Sequence, residues 1–298
     1  TNLAPAMAGG ELFSHIRYMT YTTIPSIIIT LIVFSVLSLI QETTGTADIE
    51  SLMIAIKEKF TINFWLFLVP AAVIALIIKK TPPVVALLFG TLLGGLFALI
   101  FQPGILLEIS GSKSISIAVA YRAIMDAISV STEITTSNIL LNDLFTSGGM
   151  EGMLGTIWLI ICAMVFGGIM DAIGALSRIS SALLNWAQNT FQLFTSTVAS
   201  CLTINLTASD QYLSIVIPGK MFAKAYDDRG LAPENLSRTL EDSGTVTSVL
   251  IPWNTCGAYQ SGVLGVGVGE YFVFAIFNWL SPFMTLLYAA FSLKIAKK

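Results

Sequence analysis

Long runs of apolar residues dominate this chain and leave few architectures open to it. A bilayer core of about 30 Å is crossed by about 20 apolar residues in a helix, and the backbone must satisfy its own hydrogen bonds there. Because 55% of the residues are hydrophobic and only 11% are charged, a water-soluble fold is excluded. We predict one all-α polytopic transmembrane domain over residues 1–298, with simple spans at about 24–40, 60–78, 84–101, 154–176 and 271–293.

Two further apolar stretches carry polar residues near their middles. The first, at about 189–221, has a polar tip from Asn205 to Asp210, and we predict a re-entrant helical hairpin. The second, at about 243–267, contains Pro252, and we predict a broken transmembrane helix. Unpaired polar groups cost several kcal/mol in hydrocarbon, so such breaks persist at membrane depth only where they line a cavity or bind something. These interruptions are typical of transporters.

The distribution of lysine and arginine orients these elements. With a re-entrant hairpin and a crossing broken helix, eleven of the fifteen basic residues fall on one side of the membrane. Basic residues favour the cytoplasmic side, so the C-terminus is expected to be cytoplasmic and the connection at about 102–153 is expected to be an outward loop. Its centre, 114–131, is either an amphipathic surface helix or loop cap, or a plain extramembrane loop.

The two interruptions are rich in hard oxygen donors. Hydroxyls, side-chain amides and freed carbonyls suit a small hard cation such as sodium. Asp210 and Asp242 are the carboxylates nearest to these donors. Burial raises the pKa of a carboxyl group and a bound cation lowers it, so one carboxylate can hold either the cation or a proton. The predicted sodium- and proton-binding residues are Asp210, Asp242, Asn205, Thr207, Ser209, Thr245, Thr247, Asn254 and Thr255.

Neighbouring residues form a secondary set of candidates. Glu241 and Ser243 flank Asp242, although acidic residues here could instead cap a helix that begins near Ser243. Asp171 lies late in an apolar span, where it faces either the translocation path or the cytoplasmic boundary. His15 lies before the first predicted span, and we interpret it as an interfacial residue rather than a proton relay.

The start of the chain resembles the second interruption. Thr1 and Asn2 lie before two apolar residues and Pro5, as Thr247 and Ser248 lie before three apolar residues and Pro252. Paired broken elements occur in transporters with inverted repeats. Thr1 and Asn2 are therefore added to the secondary candidates.

Several long motifs are spread along the whole chain. They lie at 1–9, 148–151, 160–168, 207–212, 236–247 and 252–259. Together they resemble the NhaC family of sodium/proton antiporters, within the broad ion transporter superfamily. The resemblance implies an inverted-repeat fold with a re-entrant hairpin and a broken helix. It also implies that this chain is the C-terminal majority of a longer protein.

The resemblance and the polar residues favour one function over two others. The leading expectation is a secondary transporter that exchanges sodium, or lithium, for protons across the bacterial inner membrane. The alternative is sodium- and proton-coupled exchange of organic acids, because a relative in the family exchanges malate and lactate. An intramembrane hydrolase is a remote alternative, since HExxH, GxSxG and GxGD motifs are absent from the sequence.

The expected partners follow from that function. They are membrane lipids, sodium, lithium, protons and, under the alternative, a small carboxylate; a homodimer is left open. No basic patch indicates nucleic acid. We expect no enzymatic activity and no cofactor.

Overall fold

A computed structural model describes residues 3–40, 49–79, 81–136 and 138–298. The regular elements in these ranges are helices, which confirms the all-α polytopic class. They are α1 (Leu3–Ala8), α2 (Leu12–Ile40), α3 (Ile49–Lys59), α4 (Leu68–Ile78), α5 (Pro83–Phe101), α6 (Pro103–Ser110), α7 (Ile117–Ser129), α8 (Ile139–Phe145), α9 (Gly149–Gly152), α10 (Leu154–Ala172), α11 (Ala175–Trp186), α12 (Thr190–Thr207), α13 (Gln211–Asp227), α14 (Pro233–Leu240), α15 (Thr255–Leu264), α16 (Val268–Tyr271) and α17 (Ile276–Ala290). Thr1 and Asn2 lie outside the described residues.

The helices that could cross a membrane are apolar and poorly covered by protein. By length and composition, α2, the Val84–Phe101 part of α5, and α10 qualify. Only 6% to 11% of the most apolar window of each helix is buried, so their side chains are available to lipid. The helix at 276–290 is apolar but has only 15 residues. The chain is thus a multi-pass membrane protein, and the exact set of spans remains a prediction.

The described chain forms two compact units, one of residues 1–42 with 155–298 and one of residues 43–154. In the second unit, Leu52–Lys59 and Phe64–Ile78 meet at an angle of 80°, so the chain bends at 60–63, at the start of the predicted span 60–78, which stays a prediction. The bend exposes the backbone of Thr61, and the side-chain amide of Gln102 hydrogen-bonds both its N–H, at 3.0 Å, and its C=O, at 2.9 Å. This pairing allows the helix to stop there, because both backbone groups have partners.

The predicted outward loop also folds into helices within the second unit. Ser116 caps α7 by accepting a hydrogen bond from the N–H of Val119 at 3.2 Å. Glu108 on α6 accepts hydrogen bonds from Lys59 and Thr135. Partial burial acts to raise the pKa of Glu108, but these hydrogen bonds outweigh it and lower the pKa below its usual value.

The core of the first unit lies where α12 and α13 pack against each other and against α14. Its buried apolar side chains come from all three helices: Leu193, Phe194, Cys201, Ile215, Phe222, Tyr226, Leu236 and Leu240. The helix α2 contacts α14 and α17. It does so through a polar stripe, because its buried residues are His15, Tyr18, Thr22 and Ser26 at helical spacing. This core holds both interrupted elements.

The predicted hairpin corresponds to α12 and α13, which are separated by only three residues, 208–210. The predicted broken helix corresponds to α14, a π-helical turn at Glu241–Thr245, a 3-10 turn at Ser248–Leu250, and α15. Whether the hairpin is re-entrant in a bilayer, and whether the fold is an inverted repeat, remain predictions.

Close packing of α10 on the hairpin turn gives a test of this arrangement. A Cβ atom added at Gly167 would lie 2.4 Å from the carbonyl oxygen of Ala208, whereas one added at Gly168 meets nothing within 4 Å. We expect Gly167→Ala to destabilise the protein by about 1–3 kcal/mol, because a backbone atom must move. Gly168→Ala should be neutral or slightly stabilising, because alanine favours helix.

Thermal unfolding of the two purified variants in detergent measures the difference. Equal melting temperatures for Gly167→Ala and Gly168→Ala would contradict this packing.

Candidate ion-binding site

The hairpin reverses direction through a turn with one unusual backbone conformation. Ser209 has a φ of +58°, in the left-handed region that side chains other than glycine rarely adopt. Asp210 follows as the N-cap of α13, and its carboxylate accepts a hydrogen bond from the N–H of Leu213 at 3.1 Å. The turn therefore ends α12 and begins α13 with its first amides capped.

The second interruption leaves the helical conformation gradually. The π-helical turn ends at Thr245, and the chain is extended at Ile251 before Asn254 caps α15. The side chain of Asn254 accepts a hydrogen bond from the N–H of Cys256 at 3.1 Å. Pro252 lies in the turn between Ile251 and Asn254, where its missing N–H breaks no helical hydrogen bond.

Asn205 joins the two interruptions. It is fully buried, and its amide nitrogen donates to the carbonyl of Gly244 at 2.8 Å and to the hydroxyl of Thr247 at 3.2 Å. The amide nitrogen of Asn254 donates back to the side-chain oxygen of Asn205 at 3.1 Å and to its carbonyl oxygen at 3.2 Å. We call Asn205, Gly244, Thr247 and Asn254 the amide bridge.

The hairpin turn adds two more links to the second interruption. The N–H of Thr255 donates to the carbonyl of Ser209 at 2.9 Å. The indole of Trp253 donates to the carbonyl of Leu206 at 2.8 Å. The structure therefore brings Asn205, Ser209, Thr247, Asn254 and Thr255 together, as the sequence predicts for a joint site.

Most hydroxyls of the predicted site are engaged with their own helix. Thr207 donates to the carbonyl of Thr203 at 2.7 Å, Thr247 donates to that of Ser243 at 2.5 Å, and Ser243 donates to that of Thr239. Thr245 differs, because its hydroxyl oxygen is buried and has no hydrogen-bond partner among the described residues. A buried oxygen without a partner is costly unless something binds it.

The two predicted aspartates have different surroundings. Asp242 is 1% exposed, and its carboxylate accepts a hydrogen bond from the hydroxyl of Thr285 at 2.5 Å. Asp210 is only half-buried at the hairpin turn. Asp242 thus lies in the π-helical turn against α17, whereas Asp210 caps α13.

Comparison with known proteins identifies the family. The model of the Na+/H+ antiporter family matches residues 1–293. The chain belongs to this family.

Named relatives in the Na+/H+ antiporter family extend the comparison. The chain is 34% identical over its whole length to the Na(+)/H(+) antiporter NhaC of Alkalihalophilus pseudofirmus, and 32% identical over 96% of its length to that of Bacillus subtilis. It is 29% identical over 99% of its length to the Malate-2H(+)/Na(+)-lactate antiporter of Bacillus subtilis. It covers 62%, 61% and 58% of these relatives. No solved structure matches the chain.

Within this antiporter fold, the remaining candidates occupy different positions. Glu241 and Ser243 are buried beside Asp242 in the π-helical turn, which continues α14 instead of beginning a new helix. The alternative in which Glu241 caps a helix start is therefore wrong. Asp171 is exposed at the end of α10.

Two charged or titratable residues of the first unit are more enclosed than their sequence positions indicate. Arg238 is fully buried on α14. His15 is 3% exposed and hydrogen-bonds the hydroxyl of Ser237 at 2.9 Å, so protein encloses it, and its place at the membrane interface stays a prediction. The available signal for Arg238 was spacing, since it lies one helical turn before Asp242.

The amide bridge makes a prediction about stability. Replacing Asn205 with alanine leaves the carbonyl of Gly244 and the amide of Asn254 without this partner, which should cost about 1–3 kcal/mol. Thr207→Ala is the matched control, because its hydroxyl bonds only within α12, and it should cost less than about 1 kcal/mol.

Melting temperatures of both variants in detergent would show the difference. An Asn205→Ala protein as stable as Thr207→Ala would mean that the bridge does not hold the interruptions together.

Proposed function

We propose that the protein is a secondary antiporter that exchanges sodium, and also lithium, for protons across the bacterial inner membrane. The observation that carries the proposal is the position of Asp242. This buried carboxylate lies in the interrupted element that the amide bridge ties to the hairpin turn. A buried carboxylate beside freed carbonyls and hydroxyls offers hard oxygen ligands and one negative charge.

Competition between sodium and a proton for the carboxylate of Asp242 would couple the transport of the two ions. With a proton, the carboxyl group is neutral and stable in its buried position. With sodium, the charge is balanced by the cation, and the hydroxyls of Thr245 and Thr285 are oxygens available nearby. Binding of one ion therefore expels the other, and exchange follows when the site is exposed to alternate sides. In this scheme sodium and protons are the cargo, and the protein acts as a transporter and not as an enzyme.

The local geometry favours a cation over an organic anion. Helix N-termini are the usual backbone sites for carboxylates. Here the start of α13 is occupied by the side chain of Asp210 and the start of α15 by that of Asn254. A malate or lactate carboxylate would have to displace these caps. Organic-acid exchange is the second candidate because one relative is named as a malate and lactate antiporter.

The proposed orientation places the C-terminus in the cytoplasm. The supporting observation is the bias of basic residues towards one side. Although Arg238 is buried and no longer counts as a loop charge, the bias remains strong without it.

Everted membrane vesicles that contain the full-length protein test the activity. Addition of sodium or lithium should dissipate a preformed pH gradient without any organic acid. Sodium-dependent flux that requires malate or lactate would support the second candidate instead. Absence of any response to sodium or lithium between acidic and alkaline pH would refute the antiporter.

Replacing each predicted carboxylate with an amide of the same size tests whether exchange requires its charge. Asp242→Asn and Asp210→Asn should each reduce exchange to background, because asparagine keeps the size and, at Asp210, the capping oxygen, but cannot carry the exchanged charge. Asp228→Asn, at an exposed position, is the matched control and should exchange at the normal rate.

Sodium-induced dissipation of the pH gradient, normalised to the amount of protein in the membrane, is the measurement. A variant that transports with unchanged sodium affinity and pH profile would show that its aspartate is structural.

A further inference from the structure

Arg238 on α14 is a buried cation without hydrogen bonds. It is 0% exposed, and none of its three guanidinium nitrogens has a hydrogen-bond partner among the described residues. Buried charged groups are normally paired, because an isolated buried charge is costly. A purely structural arginine would be expected to bond a carboxylate or several carbonyls. The position of Arg238 therefore calls for a different explanation.

Aromatic rings hold the guanidinium group in place. Its central carbon lies 4.6 Å from the centre of the Tyr18 ring on α2 and 5.7 Å from that of the Tyr288 ring on α17. Such contacts attract a cation without using its N–H groups. The rings thus fix the positive charge between α2, α14 and α17.

Asp242 of the proposed ion site follows Arg238 by one helical turn, because the π-helical turn continues α14. Its carboxylate accepts a hydrogen bond from the neutral hydroxyl of Thr285 on α17. Arg238 consequently supplies a positive charge near this carboxylate without occupying its oxygens.

We propose that Arg238 is a specificity-determining residue that sets the sodium affinity of the transport site, acting as a fixed counter-charge to Asp242. This inference rests on the proposed function. A carboxylate in a buried site attracts a cation strongly, since charges interact strongly where water is excluded. A positive charge held one helical turn away weakens that attraction and permits the release of sodium that transport requires.

Charge removal at Arg238 tests the proposal. Arg238→Gln should lower the sodium KM of exchange about tenfold, because the site loses its opposing charge, and it should not raise the maximal rate. Arg238→Lys is the matched control: an ammonium group carries the charge but stacks less well than a guanidinium, so its sodium KM should lie between those of Arg238→Gln and the unsubstituted protein.

A second variant moves the guanidinium group instead of removing it. Tyr288→Leu deletes one ring at a half-buried position and frees the guanidinium to approach Asp242. Its sodium KM should therefore rise, in the direction opposite to Arg238→Gln. This variant keeps the proposal testable if Arg238→Gln does not reach the membrane.

Sodium titrations in everted vesicles that contain the full-length protein distinguish the outcomes. A KM that falls for Arg238→Gln, falls less for Arg238→Lys and rises for Tyr288→Leu supports the counter-charge. Equal KM changes for the Gln and Lys variants, or a lowered KM for Tyr288→Leu, would overturn it. If the unsubstituted protein shows no sodium response, the proposed function itself fails, which is a separate result.

Discussion

The hydrogen bonds of Asn205 hold together the part of the molecule on which the rest depends. Helices interrupted inside an apolar environment leave carbonyl and amide groups without helical partners, and lipid offers none. Asn205 satisfies the carbonyl of Gly244 in one interruption and receives the amide of Asn254 from the other end of the same break. Its single side chain therefore allows two breaks to exist side by side.

This bridge also explains why the neighbouring polar residues have unequal roles. The hydroxyls of Thr207 and Thr247 donate hydrogen bonds to carbonyls within their own elements, which stabilises the ends of the helical segments. Asp210 caps α13. Asp242 is different, because it lies in the π-helical turn and its carboxylate faces α17. The extra residue in a π-helical turn changes the direction of the following side chains, and such turns are frequent at functional sites.

The charged and polar groups at the centre of the first unit come from three helices, α2, α14 and α17. The stripe of α2 brings His15 beside α14 and Tyr18 beneath Arg238, and α17 contributes Thr285 and Tyr288. None of these contacts is local in sequence. The carboxylate of Asp242 is consequently surrounded by hydroxyls and a ring-bound guanidinium.

Sequence reasoning succeeded where a single element carries the signal. Apolar length predicts α2, α5 and α10 as membrane helices, and the polar tip at 205–210 predicts the turn between α12 and α13. It did not indicate the bend at 60–63, where the side chain of Gln102 pairs with the backbone of Thr61. It also did not indicate that Arg238 is buried, because a lone arginine in sequence gives no sign of the rings that will cover it.

The sequence by itself determined the membrane class, the family and the location of both interruptions, since these follow from hydrophobic length, motif order and the cost of polar groups in lipid. Only the tertiary structure decided which polar groups meet. Asn205 and Asn254 are 49 residues apart in the sequence, and this separation alone does not indicate that they are in contact. Their contact depends on how the helices pack, and packing also decides that Asp242 is enclosed while Asp210 caps a helix.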